Sequence, residues 1–123
     1  MDLESITASN SPFGPCTIGY SSAEQFRNIK KEIDIRADLF SLGVVAAEMI
    51  IGYNPFFYNT NDIIQVIKNI ENQPLPLLRI SGDSQFLLAK FIKTLGDNRI
   101  SRRPRSIKEA KLLFKIVKNT LKI

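Results

Sequence analysis

Apolar positions along this chain fall into four blocks, separated by polar or breaker-rich stretches. Between Ile35 and Ile51 nearly every side of a helix would be apolar, through Leu39, Phe40, Leu42, Val44, Val45, Ala46, Ala47, Met49, Ile50 and Ile51. A helix apolar all round is buried all round, so this block predicts the centre of the molecule. Gly52 supplies a helix-end residue, and Asn54-Pro55 stops continuation. Behind Thr60 or Asn61 as a cap, Ile63, Ile64, Val66, Ile67 and Ile70 recur at helical spacing. Pro74 and Pro76 break that second helix and leave Leu75, Leu77 and Leu78 extended. Residues 84–95, with Phe86, Leu87, Leu88, Phe91, Ile92 and Leu95, predict a third helix closed by Gly96-Asp97-Asn98. The last begins at Ser106, with Glu109 as its capping-box partner. It runs through Ala110, Leu113, Phe114, Val117 and Leu121, with Lys111, Lys115, Lys118 and Lys122 on the wet side.

The remaining stretches are shorter. Ser21-Ser22-Ala23-Glu24 has capping-box spacing and predicts a short helix through Asn28, followed by an exposed connection at Lys30, Lys31 and Glu32. Residues 1–15 are rich in Ser, Thr, Asn, Pro and Gly without an apolar period, and read as a flexible lead-in to a helical domain over 16–123. No strand alternation and no repeat occur. The expected class is all-α: a central buried helix, three amphipathic helices and one short helix.

Composition narrows the chemistry. A chain of 123 residues with 44% hydrophobic and 24% charged residues suits one folded domain rather than a disordered segment. The formal net charge of +5 mildly favours acidic partners. Lys108, Lys111, Lys115, Lys118 and Lys122, with Arg99, Arg102, Arg103 and Arg105, would be the basis of a nucleic-acid site. No aromatic stacking platform or groove-reading motif accompanies them, so no nucleic-acid partner is expected. The single Cys16 allows no internal disulfide and fits a reducing compartment. There is no His, which excludes Ser-His-Asp and Cys-His nucleophile activation and His-ligated metal. The longest apolar run, residues 42–51, is too short for a bilayer span, and Met1-Asp2-Leu3-Glu4 opens no apolar signal core. The expectation is a cytoplasmic protein without a membrane partner.

Three motifs in order carry a family resemblance over residues 16–117. Thr17-Ile18-Gly19-Tyr20 is similar to the G-T-x-G-Y that ends protein kinase activation segments, with Cys16 at the leading Gly. Ser22-Ala23-Glu24 looks like the Ala-Pro-Glu motif with its first two residues changed. Asp38-Leu39-Phe40-Ser41-Leu42-Gly43 resembles the D-x-W/F-S-x-G that opens the central helix of the C-terminal lobe. The set resembles the helical C-terminal half of a serine/threonine-type protein kinase-like domain. The resemblance implies that Thr17, Gly19 and Tyr20 belong to a substrate-docking loop. It implies that Glu24 pairs with Arg103 as a structural lock, and that Asp38 anchors segments of a catalytic loop. Read without the family, Glu24 is a helix-capping residue, Arg103 a surface cation and Asp38 an acid favoured by the helix dipole.

Phosphoryl transfer also needs a Gly-rich phosphate loop, a nucleotide-binding Lys, a catalytic-loop Asp and Asn and a metal-binding D-F-G. The chain contains no G-x-G-x-x-G, H-R-D or D-F-G. Pro12-Phe13-Gly14 mimics the last without its carboxylate. The chain alone is therefore expected to be inactive, with no catalytic residue, no metal site and no cofactor. ATP and Mg enter only if a missing catalytic half completes it. A non-catalytic, pseudokinase-like interaction scaffold is the alternative. In the family a helix and the catalytic loop cover one side of the central helix. Without them, Phe40, Val44, Ala47 and Ile51 are expected to form an open apolar patch. At about 25 cal/mol per Å², several hundred Å² of wet surface forgoes on the order of 10 kcal/mol. The expected partner is the missing half, another protein covering that helix, or a second copy of the chain.

Overall fold

The computed structural model describes residues 18–26 and 34–122, and within them the chain is helical, with no strand. The elements are α1 (Ala23–Phe26), α2 (Ile35–Ile51), α3 (Ile63–Asn72), α4 (Leu87–Leu95) and α5 (Ile107–Leu121). Single 3-10 turns occur at Pro55–Phe57 and Ile100–Arg102. The expected lead-in, Cys16, Thr17 and the connection at Lys30–Glu32 lie outside the described residues.

Local chemistry sets the helix ends. The Asp34 carboxylate caps α2 by accepting the Arg36 N–H at 2.8 Å. Hydrogen bonds from the Arg36 side chain and then its backbone hold that carboxyl below the usual aspartate range. Gly52, in the left-handed region at φ 88°, closes α2 by donating its N–H to the Glu48 carbonyl. Helix α3 is capped by Asp62 rather than by Thr60 or Asn61; the Thr60 hydroxyl instead accepts the Asp62 N–H at 3.0 Å and sets the cap in place. Helix α4 starts at Leu87, three residues later than the apolar spacing suggests. Phe86 stands in the left-handed region and the buried Asp83 carboxylate reaches forward to the Ala89 N–H, so residues 83–86 form turns. At α5 the Ser106 hydroxyl accepts the Glu109 N–H at 3.1 Å, as a capping box requires.

Packing is centred on α2. Phe40, Val44 and Ala47 are fully buried against Phe56, Val66, Ile70, Leu75, Leu78, Ala89 and Ile92. A second cluster of Leu39, Leu95 and Ala110, with Phe91 against it, seats α4 and α5 together. Helices α2 and α4 meet where Gly43 approaches the Gly96 backbone; a Cβ on Gly43 would lie 2.7 Å from that nitrogen.

This arrangement corrects the expected open patch. Phe40, Val44 and Ala47 form the core itself, and Ile51 is half-buried beside it, because the Pro55–Phe57 turn, residues 75–78 and α4 cover that face. Nor is α2 buried all round. Its wet apolar stripe is Leu42, Val45, Met49 and Ile50, with Met49 81% exposed.

Candidate functional site

The site begins with Arg103, which is 2% exposed at the end of the Ile100–Arg102 turn. A buried guanidinium needs a partner for each of its five N–H groups. Here every one is used. Its Nε donates to the Asp97 carbonyl at 2.7 Å. One terminal nitrogen donates to Glu24 Oε2 at 2.6 Å and to the Arg36 carbonyl at 3.2 Å. The other donates to Glu24 Oε1 and the Asn98 carbonyl, each at 3.3 Å. The guanidinium also lies 5.0 Å from the centre of the Phe40 ring, which in turn stacks on the Phe56 ring at 6.0 Å. One side chain thus ties α1, the first turn of α2 and the segment before α5 into one rigid joint.

Glu24 is free to face Arg103 because it does not cap its own helix. The capping box lies one residue further on than Ser21–Glu24: Ser22 is the cap, and Gln25 Oε1 accepts the Ser22 N–H at 3.0 Å. The Gln25 amide does locally what a carboxylate would otherwise do, which leaves the acid for the long-range pair.

Just before α1, residues 18–21 run along one side of α2 and are held at three points. The Ser41 hydroxyl donates to the Tyr20 carbonyl at 2.7 Å. The Tyr20 hydroxyl donates to both Glu48 oxygens, at 2.8 and 2.7 Å. The buried Asn54 amide donates to the Gly19 carbonyl at 2.8 Å, while its oxygen accepts the Phe56 N–H at 2.9 Å. Burial, with the neighbouring Glu48 carboxylate, pushes the Tyr20 phenol above its ordinary value. Gly19 stands in the left-handed region at φ 94°, and a Cβ there would lie 2.5 Å from Phe57 and 2.9 Å from Asn54. No other residue type fits that backbone and that space.

Asp38 is not drawn into this network. It is exposed and begins the line that continues through Leu42, Val45 and Met49 on α2. On a helix of 3.6 residues per turn, that line lies between the side that holds residues 18–21 (Ser41, Glu48) and the side facing α4 (Leu39, Gly43). The structure therefore joins Glu24 to Arg103, places Gly19 and Tyr20 on the neighbouring edge of α2, and leaves Asp38 at the rim of an open stripe.

Ser41, Glu48 and Asn54 hold the loop, and sequence reasoning assigned them no such part. Glu48 had a visible signal, an acid inside an apolar run, and Asn54 was read only as part of a helix stop. Chemically the assembly is a hydrogen-bonded, partly apolar surface. Among the described residues no three His, Cys, Asp or Glu side chains gather where they would hold a metal ion. No described helix is long and apolar enough to cross a membrane. The chain matches no protein-family model, and no curated protein is significantly similar to it.

Proposed function

We propose that this chain is the substrate-docking half of a serine/threonine-type protein kinase-like domain, silent by itself. The single observation that supports the reading best is the double use of residues 40–43 of α2. Phe40 lies under the guanidinium that holds Glu24, and Ser41 holds the carbonyl of Tyr20. Residues from the three motif stretches thereby converge on one helical turn, and Gly43 of the same turn sits against Gly96. The docking surface is the loop at Gly19 and Tyr20 with the neighbouring helix α3, and Thr17 precedes it in sequence.

On this reading Asp38 and the stripe through Leu42, Val45 and Met49 form the contact for a completing partner. That partner is the missing catalytic half, another protein or a second copy. ATP and Mg belong, on the same reading, to the completed assembly. The protein is proposed to act in the cytoplasm, without nucleic acid. The alternative is a pseudokinase-like scaffold in which the same surface binds and nothing is transferred.

The test has two parts. Incubation of the chain with ATP–Mg and a mixed Ser/Thr peptide library is expected to give no phosphopeptide, while the library binds and Gly19→Val abolishes the binding. Peptide binding unaffected by Gly19→Val, with the variant still folded by circular dichroism, contradicts the docking role. The coding DNA upstream of Met1 and its neighbouring genes distinguish the two readings. An H-R-D…D-F-G segment there supports a split or longer kinase, and its absence supports the scaffold.

A further inference from the structure

Beside the α2 stripe, helices α2, α4 and α5 enclose an open groove of about 440 Å³. Its walls include Leu42 and Ala46 from α2, Leu88 and Phe91 from α4, and Phe114 from α5; the one charged residue lining it is Lys111. Lys111 belongs to a row. At 100° per residue, Lys111, Lys115 and Lys118 fall along one line of α5, with Lys108 next to it and Lys122 at the C-cap beyond its end, and all five are exposed. Among the described residues none of the five sits in a salt bridge. Like charges at i, i+3 and i, i+4 weaken a helix. The single acid of α5, Glu109, is turned about 100–180° away from the row by the same helical geometry. The row therefore adds like-charge repulsion along α5, eased at the C-terminal end, where Lys118 lies in the last turn and is favoured by the helix dipole.

We propose that this groove binds an amphipathic helix of another protein, with apolar residues on one face and Asp or Glu along one flank. An apolar ridge of i, i+3, i+4, i+7 side chains fits a trough between two helices, and the acidic flank meets the lysine row along the α5 edge. The lysines edge the groove on one side only, which sets the direction in which the acidic flank lies. A flat anionic bilayer does not enter a recessed trough, and a nucleic acid would engage the lysines while leaving the apolar walls wet. This inference does not rest on the kinase-like reading: it uses α4, α5 and five lysines that the reading leaves idle, and shares with it only Leu42.

The test measures binding of the full chain to a synthetic helical peptide with a Leu/Ile face and a Glu flank. The same peptide with Lys at the flank is run beside it, together with phosphatidylserine vesicles and a DNA duplex. The acidic peptide is expected to bind about tenfold or more tightly than its lysine counterpart, with an affinity that falls as salt rises. The triple variant Lys111→Glu, Lys115→Glu, Lys118→Glu is expected to reverse the preference between the two peptides. Ala46→Trp fills the trough without changing charge and is expected to abolish binding of both. Equal affinity for both peptides, binding that survives Ala46→Trp, or binding to vesicles or DNA but not to the acidic peptide overturns the proposal.

Discussion

At the scale of single residues the account depends on geometry that few substitutes reproduce. Arg103→Lys keeps the charge but offers three donors where five are used, and loses the planar contact with Phe40. Because the site is dry, this change is expected to destabilise the protein by about 3 kcal/mol, read from urea unfolding midpoints. An effect under about 0.5 kcal/mol, the size expected of a surface ion pair, would contradict the burial of the lock. Tyr20 gives a pH signature. Its phenol is raised by burial and by Glu48, so the native state holds that proton more tightly than the unfolded chain does. The stability this adds is complete below the ordinary phenol value of about 10 and is lost as pH rises through the raised native value. Tyr20→Phe is expected to remove that part of the alkaline decline, measured by thermal melts between neutral pH and pH 11.

At the scale of elements, α2 shows what a sequence carries and what it does not. Its ends at Ile35 and Ile51 were legible because the apolar run stops at Gly52 and Asn54-Pro55. Its open face was not. An apolar residue on every side gives no direction, so nothing local said that Phe40, Val44 and Ala47 face the core while Leu42, Val45 and Met49 face water. That choice is made by distant segments, chiefly the Pro55–Phe57 turn, residues 75–78 and α4. The start of α4 was obscured in a similar way, because Asp83 takes a backbone N–H six residues on. Between α2 and α4 the Gly43–Gly96 approach sets the helix spacing. Gly43→Ala improves helix propensity by about 1 kcal/mol. The added carbon nevertheless meets the backbone at 2.7 and 3.1 Å, where neither helix can yield locally. A net loss of about 2 kcal/mol is expected, seen as a lowered Tm, and a stabilised variant would show that the helices separate freely.

At the scale of the whole molecule, the pairing of Glu24 and Arg103, 79 residues apart, was foreseen only through the family resemblance. Periodicity alone assigned Glu24 to a cap, and the structure gives that cap to Gln25. The loop anchors at Ser41, Glu48 and Asn54 lay beyond pattern reading, since each acts through a backbone or hydroxyl partner distant in sequence. The molecule also presents an apolar stripe that its own described residues leave wet. Met49→Glu lies on that stripe, 81% exposed, and is expected to change stability by less than about 0.5 kcal/mol. The same variant is expected to abolish self-association or partner capture measured by analytical ultracentrifugation. Unchanged assembly would remove α2 from the contact surface.

The central claim is that the loop at Gly19 and Tyr20, mounted on α2 by the Glu24–Arg103 lock, receives a hydroxyl-bearing peptide. Amide chemical shifts recorded while the chain is titrated with Ser/Thr peptides test it most directly. The account predicts saturable shifts at residues 18–22 and on α3, lost in Gly19→Val and weakened in Arg103→Lys. Shifts confined to other surfaces, or none at saturating peptide, would contradict it.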